Sequence, residues 1–151
     1  NDLIISVANT FALKVEKYGG TLDLYLDALD STIYVDEMHI TNVLFNLMDN
    51  AVKYRRQDVP LALLVRTWNE NGKLHISVED NGIGIKKEYL KKVFDRFFRV
   101  PTGNKHDVKG FGLGLAYVRK IIEDHKGSIR AEQGNNNIGT KFIITLPLIK
   151  S

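Results

Sequence analysis

The sequence predicts one α/β domain. Three stretches repeat apolar residues at helical spacing, near 2–17, 37–55 and 112–125. Between and after them lie stretches that alternate apolar and polar residues, the period of a half-buried strand. Four of these pair into two hairpin patterns, 61–67 with 73–78 and 128–133 with 141–148. The chain has 151 residues, enough for one substantial core, and carries no repeat, low-complexity tract or linker.

Residues 2–17 repeat Leu3, Val7, Phe11 and Val15 every fourth position, with Ile4, Ala8 and Ala12 beside them. Tyr18-Gly19-Gly20 stops that helix. Thr21–Asp27 alternates Leu22, Leu24 and Leu26 and reads as a strand. Asp30-Ser31 marks a turn before a short strand, Thr32–Val35. Asp36 is a good N-cap for the helix at about 37–55. Its core stripe is Ile40, Val43, Leu44, Leu47, Met48 and Ala51. Along its edge Asn42, Asn46, Asn50 and Lys53 fall within roughly an 80° arc, at about 100° per residue. Asparagine is a mediocre helix former. The stripe is either a solvated face or the polar wall of a pocket, where an amide oxygen suits Mg²⁺ and a lysine suits a phosphate.

Gln57-Asp58-Val59-Pro60 is a turn. The first hairpin then turns around Asn69-Glu70-Asn71-Gly72. Lys86–Val93 reads as a short helix. In Phe94-Asp95-Arg96-Phe97-Phe98-Arg99 the aromatics either plug the core or pack the base of a loop that lends Arg99 to a phosphate. Residues 100–109 have no periodicity and contain glycine and proline, the character of a lid. The helix at 112–125 stops at Lys126-Gly127. The closing hairpin turns around Gly134-Asn135-Asn136-Asn137, and Thr140, Phe142, Ile144 and Leu146 share one face of its second strand.

Residues 78–114 carry the chemistry. Leu74, Ile76 and Val78 face one way, and by the same parity Asp80 points into the apolar layer. A carboxylate placed there must find a donor, at a cost of several kcal/mol if it does not. Gly82 and Gly84 let the backbone turn and a ligand approach, between apolar walls at Ile83 and Ile85. A buried acid, a bare backbone and apolar walls suit a flat heteroaromatic ring with an exocyclic amino group, such as adenine. Gly110, Gly112 and Gly114 then lead into a helix with Leu115, Val118, Ile121 and Ile122 on one face. A glycine-rich loop at a helix N-terminus is an anion site. Either half alone is also explained by tight turns; the two together point to a nucleotide.

Composition narrows the class. The net charge of +3 is mild and the acids are dispersed, so nucleic-acid binding is not implied. With no cysteine, disulfides, cysteine-ligated zinc and thiol nucleophiles are excluded. No apolar run approaches membrane-spanning length and no signal peptide is visible. His39, His75, His106 and His125 are scattered in sequence, without metal-ligand spacing. The start at Asn1-Asp2, without Met, reads as that of a piece excised from something longer.

Five stretches, in order, resemble the catalytic and ATP-binding domain of sensor histidine kinases, in the GHKL ATPase superfamily. Asn46-Leu47-Met48-Asp49-Asn50-Ala51-Val52-Lys53-Tyr54 is similar to the N box and Asp80-Asn81-Gly82-Ile83-Gly84-Ile85 to the first glycine box. Phe94–Arg99 is similar to the F box, Gly110-Phe111-Gly112-Leu113-Gly114-Leu115 to the second glycine box, and Gly139-Thr140-Lys141-Phe142 to the closing glycine-threonine motif. The resemblance covers about residues 20–148.

The resemblance implies a two-layer α/β sandwich, a mixed and mostly antiparallel sheet with helices packed on one face. It implies that Asp80 accepts from the adenine amino group, helped by Thr140 through water. Asn50 ligates Mg²⁺ with Asn46 beside it, Lys53 and Arg99 touch the phosphates, and Tyr54 and Phe98 flank the nucleotide. Gly82, Ile83, Gly84 and Ile85 would line the base. Residues 110–115 would approach the phosphates, below a lid at 99–111. Residues 1–20 would link to an upstream dimerisation domain and 21–151 would be the catalytic domain.

The expected activity is transfer of the γ-phosphoryl group of Mg-ATP to a histidine on that separate dimerisation domain, for relay to a response regulator receiver domain. The setting would be cytoplasmic, without membrane contact by this piece, which is compatible with an inner-membrane anchor in its parent. The histidines here are followed by Ile40, Ile76, Asp107 and Lys126, and His106-Asp107 lies in the lid, so the acceptor motif is not in this chain. Hydrolysing members of the superfamily carry a glutamate where this chain has Asn46, and a neutral amide cannot be a general base. An anti-sigma-factor-type serine kinase and a non-catalytic nucleotide-sensing module are the alternative readings. The F box and the Gly-Phe-Gly-Leu-Gly-Leu run speak against the first, the intact boxes against the second.

Overall fold

The structure, a computed structural model, describes residues 2–17, 19–28, 37–56, 58–95, 111–134 and 138–148, with the side chains of Asp2, Leu3 and 111–114 left aside. In chain order these form α1 (Asp2–Lys17), β1 (Thr21–Leu26), α2 (Glu37–Lys53), β2 (Ala62–Glu70) and β3 (Lys73–Asp80). Two 3₁₀ turns (Lys87–Tyr89 and Lys92–Phe94), α3 (Phe111–Asp124), β4 (Ser128–Gln133) and β5 (Thr140–Pro147) follow. The described strands make a five-stranded sheet in the order β1-β2-β3-β5-β4. β1 runs parallel to β2 and the other pairs are antiparallel. This is the expected α/β sandwich.

Strand parity builds the core. Leu63 and Val65 of β2, Leu74, Ile76 and Val78 of β3, and Phe142, Ile144 and Leu146 of β5 are all buried. They meet Val43, Leu44, Leu47 and Met48 of α2 and Leu115, Val118 and Ile122 of α3, buried likewise. α1 lays Ile4, Val7, Phe11 and Val15 against the same core. The other sheet face carries Trp68 stacked on His75, centroids 5.3 Å apart and planes within 9°. The Thr145 hydroxyl and His75 Nδ1 share a 3.0 Å hydrogen bond beside them.

Several boundaries differ from the sequence expectation. The β2–β3 hairpin is longer, because Glu70 pairs directly with Lys73 and only Asn71 and Gly72 turn the chain. Their φ angles of 56° and 72° suit a type I′ turn, whose twist matches that of the strands. The helix expected at 86–93 is instead the two 3₁₀ turns: so short a segment cannot offset helix nucleation, and burial of Val93 and Phe94 fixes its path. α2 ends at Lys53, where Arg55 Nη1 donates to the Val52 carbonyl at 2.7 Å. α3 starts at Phe111, so Gly112 and Gly114 sit inside its first turn rather than ahead of it. The expected strand at 32–35, the Asp36 cap, residues 96–110 of the aromatic-basic cluster and lid, and the turn at 135–137 lie outside the described residues.

Candidate functional site

Asp80 ends β3, in register with Leu63 of β2, and its side chain enters the helix-covered layer as parity requires. Its Oδ1 accepts from the Gly82 N–H at 2.8 Å and from the Thr140 N–H at 3.3 Å. Among the described residues Oδ2 has no hydrogen-bond partner. Burial lifts the carboxyl to about 6 against the pull of the two N–H groups, and the neighbouring charge of Glu79 adds to the lift. The group is therefore mostly ionised at pH 7, with one oxygen saturated by backbone and the other left for a ligand.

Asp80 stands at the floor of a cleft lined by Asn50, Tyr54, Ile83, Gly84, Ile85, Thr140 and Phe142. Asn50, the third asparagine of the α2 stripe, is 8% exposed, and its buried Nδ2 has no hydrogen-bond partner among the described residues. A buried amide left unpaired costs about 1–3 kcal/mol, so a polar ligand there recovers stability. Rotation of the amide about χ2 presents either its oxygen or its nitrogen to such a ligand. Apolar walls, a carboxylate on the floor and an unsatisfied amide fit a nucleotide base on one side and a hydrated cation on the other.

The loop after β3 is tied to the end of α2. The Ile83 N–H donates to the Tyr54 carbonyl at 3.0 Å, and Arg56 Nε donates to the Asn81 carbonyl at 3.0 Å. Asn81 in turn accepts from the Ala62 N–H and donates to the Pro60 carbonyl, both at 2.9 Å. Gly82 passes so close to α2 that a Cβ would lie 2.5 Å from the Tyr54 carbonyl oxygen. At Gly139 (φ +72°) a Cβ would fall on the Asp80 carbonyl oxygen. Gly82→Ala should thus cost about 1–3 kcal/mol of stability, the usual range for overpacking. Urea denaturation checks this; a loss below roughly 0.5 kcal/mol, ordinary for a surface change, would show that the loop can move away from α2.

The expected residues divide in three. Asn50, Tyr54, Asp80, Ile83, Gly84, Ile85 and Thr140 line one cleft, with Gly82 packed behind Asp80. Asn46 and Lys53 do not line it. Asn46 Nδ2 donates to the Asn42 carbonyl one turn back, at 2.8 Å, in a groove between α1 and α2. Lys53 Nζ lies 3.0 Å from Asp49 Oδ2. Leu115 is fully buried in the core. Phe111, Gly112, Leu113 and Gly114 are placed only by backbone, in the first turn of α3, and Phe98, Arg99 and Gly110 lie outside the described residues.

The sequence reading missed Arg56, Asn81 and Phe142 as parts of the site. Asn81 and Phe142 had signals, the first its place inside the glycine box and the second its parity with Thr140; Arg56 had none. His39 and His125, far apart in sequence, meet edge to face with ring centroids 6.2 Å apart. Among the described residues no group of three or more His, Cys, Asp or Glu could hold a metal ion, and no described helix is long and apolar enough to cross a membrane.

Known proteins share this fold. The profile of the histidine kinase-, DNA gyrase B-, and HSP90-like ATPase family matches residues 35–150. The sensor protein RprX of Bacteroides fragilis is 69% identical over 151 residues, all of this chain and 29% of the relative. The sensor histidine kinase WalK of Bacillus subtilis is 34% identical over 149 residues, 95% of this chain and 24% of the relative. The chain thus spans less than a third of either relative. The solved catalytic domain of the histidine kinase ThkA superposes with a TM-score of 0.81 at 32% identity, covering 97% of this chain and 92% of that one. ThkA has also been solved in complex with the response regulator protein TrrA; that chain is 29% identical, with a TM-score of 0.79 over 99% of this chain and 40% of its own.

Proposed function

The chain belongs to the histidine kinase-, DNA gyrase B-, and HSP90-like ATPase family, and we propose that it is the part of a two-component sensor histidine kinase that binds Mg-ATP and presents its γ-phosphoryl group to a histidine on a separate dimerisation domain. The observation that carries this reading is the half-satisfied Asp80 carboxylate facing an apolar cleft beside the unpaired Asn50 amide. Asp80 Oδ2 accepts from the adenine amino group, with the Thr140 hydroxyl bridging through water. Ile83, Ile85 and Tyr54 enclose the ring. Asn50 holds Mg²⁺, which neutralises phosphate charge when bound. Lys53 and Arg99 supply further positive charge, and Asn46 and the first turn of α3 border the phosphates.

The protein's contribution to such a transfer is positioning and electrostatics rather than covalent chemistry. The names of the sensor kinases it resembles favour a histidine acceptor over the serine of an anti-sigma-factor kinase. A response regulator receiver domain would receive the phosphoryl group next. Residues 1–20 would carry the link to the dimerisation domain, and the domain would work in the cytoplasm.

Asn50→Ala tests the reading. It should remove most of the Mg²⁺-dependent part of ATP affinity and leave Mg²⁺-free binding nearly unchanged, as read by calorimetric titration with and without chelator. Wild-type Mg²⁺ dependence in the variant would place the metal elsewhere, and no ATP binding by the wild-type chain would sink the reading altogether.

A further inference from the structure

Asp49 precedes the cleft asparagine on α2 and is shared by two lysines. Its Oδ2 lies 3.0 Å from Lys53 Nζ, one turn on along the same helix. Its Oδ1 accepts from Lys14 Nζ of α1 at 2.9 Å. Burial raises the Asp49 carboxyl, but the hydrogen bonds and charges of the two lysines outweigh it and hold the carboxyl below its ordinary value. The ammonium of Lys14 also lies over the Phe11 ring, 5.5 Å from its centroid, which limits where it can go. Lys14 precedes the stretch that the family profile matches.

The arrangement presents a physical problem for Lys53. A lysine that must meet a triphosphate is held by a carboxylate, and on leaving it would strand a bare negative charge beside the incoming anion. A second ammonium on the same carboxylate removes that obstacle. We infer that Lys14 is a positioning residue for nucleotide binding: it stays on Asp49 as counterion and so frees Lys53 to turn toward the phosphates. The inference rests on the ATP-binding reading above. It makes α1 part of the phosphate machinery although α1 contributes nothing to the lining of the nucleotide cleft.

The test is a double-mutant cycle on the full 151-residue chain, with Mg-ATP titrated by calorimetry at low salt. Lys14→Met should raise the dissociation constant roughly twofold to fivefold, the range set by partly exposed ion pairs. Lys14→Arg should restore it. Asp49→Asn, which releases Lys53 and removes the negative charge, should leave affinity equal to wild type or tighter. In the Asp49→Asn background Lys14→Met should have no effect, because its target is gone. A Lys14→Met variant that binds like wild type overturns the inference, and so does an equal loss with and without Asp49, which would mean direct or purely structural action. If wild type itself does not bind Mg-ATP, the ATP-binding reading fails instead.

Discussion

Residues 1–151 alone should bind ATP but turn it over very slowly. General-base assistance is worth about 10²–10⁴-fold, and the resemblance sets Asn46 where hydrolysing relatives carry their base. Its amide is neutral, and its Nδ2 is tied to the Asn42 carbonyl of its own helix. Supplying a matching histidine-bearing dimerisation domain should instead yield a phosphohistidine, acid-labile and base-stable, with no earlier burst of free phosphate. Phosphate release and radiolabel transfer, measured in parallel, separate the two paths. Rapid multiple-turnover hydrolysis by the isolated chain, lost in Asn50→Ala, would move the protein toward the self-contained ATPases of its family.

Asp80→Asn should weaken ATP binding by at least about 1.5–3 kcal/mol, the worth of a charged hydrogen bond. It should weaken GTP much less, since guanine offers a carbonyl where adenine has its amino group. Acidity should mimic the substitution. Oδ1 already accepts two N–H bonds, so the proton taken up near pH 6 goes to Oδ2, the oxygen left for adenine. That turns an acceptor into a donor facing a donor. Affinity should fall roughly tenfold as pH drops from about 7 to about 5, in proportion to the ionised fraction, relative to a flat Asp80→Asn variant. The nucleotide-free domain should show the opposite trend. The folded carboxyl binds its proton more tightly than the unfolded one, at about 6 against 3.8. Stability therefore declines as pH rises through that window, and Asp80→Asn should melt no lower than wild type at pH 7. Equal loss of ATP and GTP would falsify the base-reading role.

Much of this was legible in sequence because it is local. The α2 stripe, the parity of Asp80 and the Asn-Gly turn each depend on residues a few positions apart, where period and backbone preference dominate. What escaped depends on contacts across the chain. The parallel pairing of β1 with β2 leaves no short-range mark. Asn81 follows Asp80 directly, yet its work is to clamp residues 60 and 62. The four-residue polar stripe on α2 reads as a single surface, solvated face or pocket wall, but tertiary packing sends Asn50 into the cleft and Lys53 to Asp49. The short helix at 86–93 failed because periodicity over eight residues cannot tell about two α-helical turns from two tighter ones.

The parallel β1–β2 pair bears on how the chain is made. Synthesis runs from the N-terminus, so α1 and β1 leave the ribosome before the strand that β1 will pair with, which begins at Ala62. Until then the backbone N–H and C=O groups of β1 stay unpaired, beside an apolar face of Leu22, Leu24 and Leu26, a combination that invites wrong pairing. β2 and β3, by contrast, are joined by a two-residue turn and can close within microseconds of emerging. The nascent domain should therefore assemble from its middle outward, with its first-made strand among the last to be fastened.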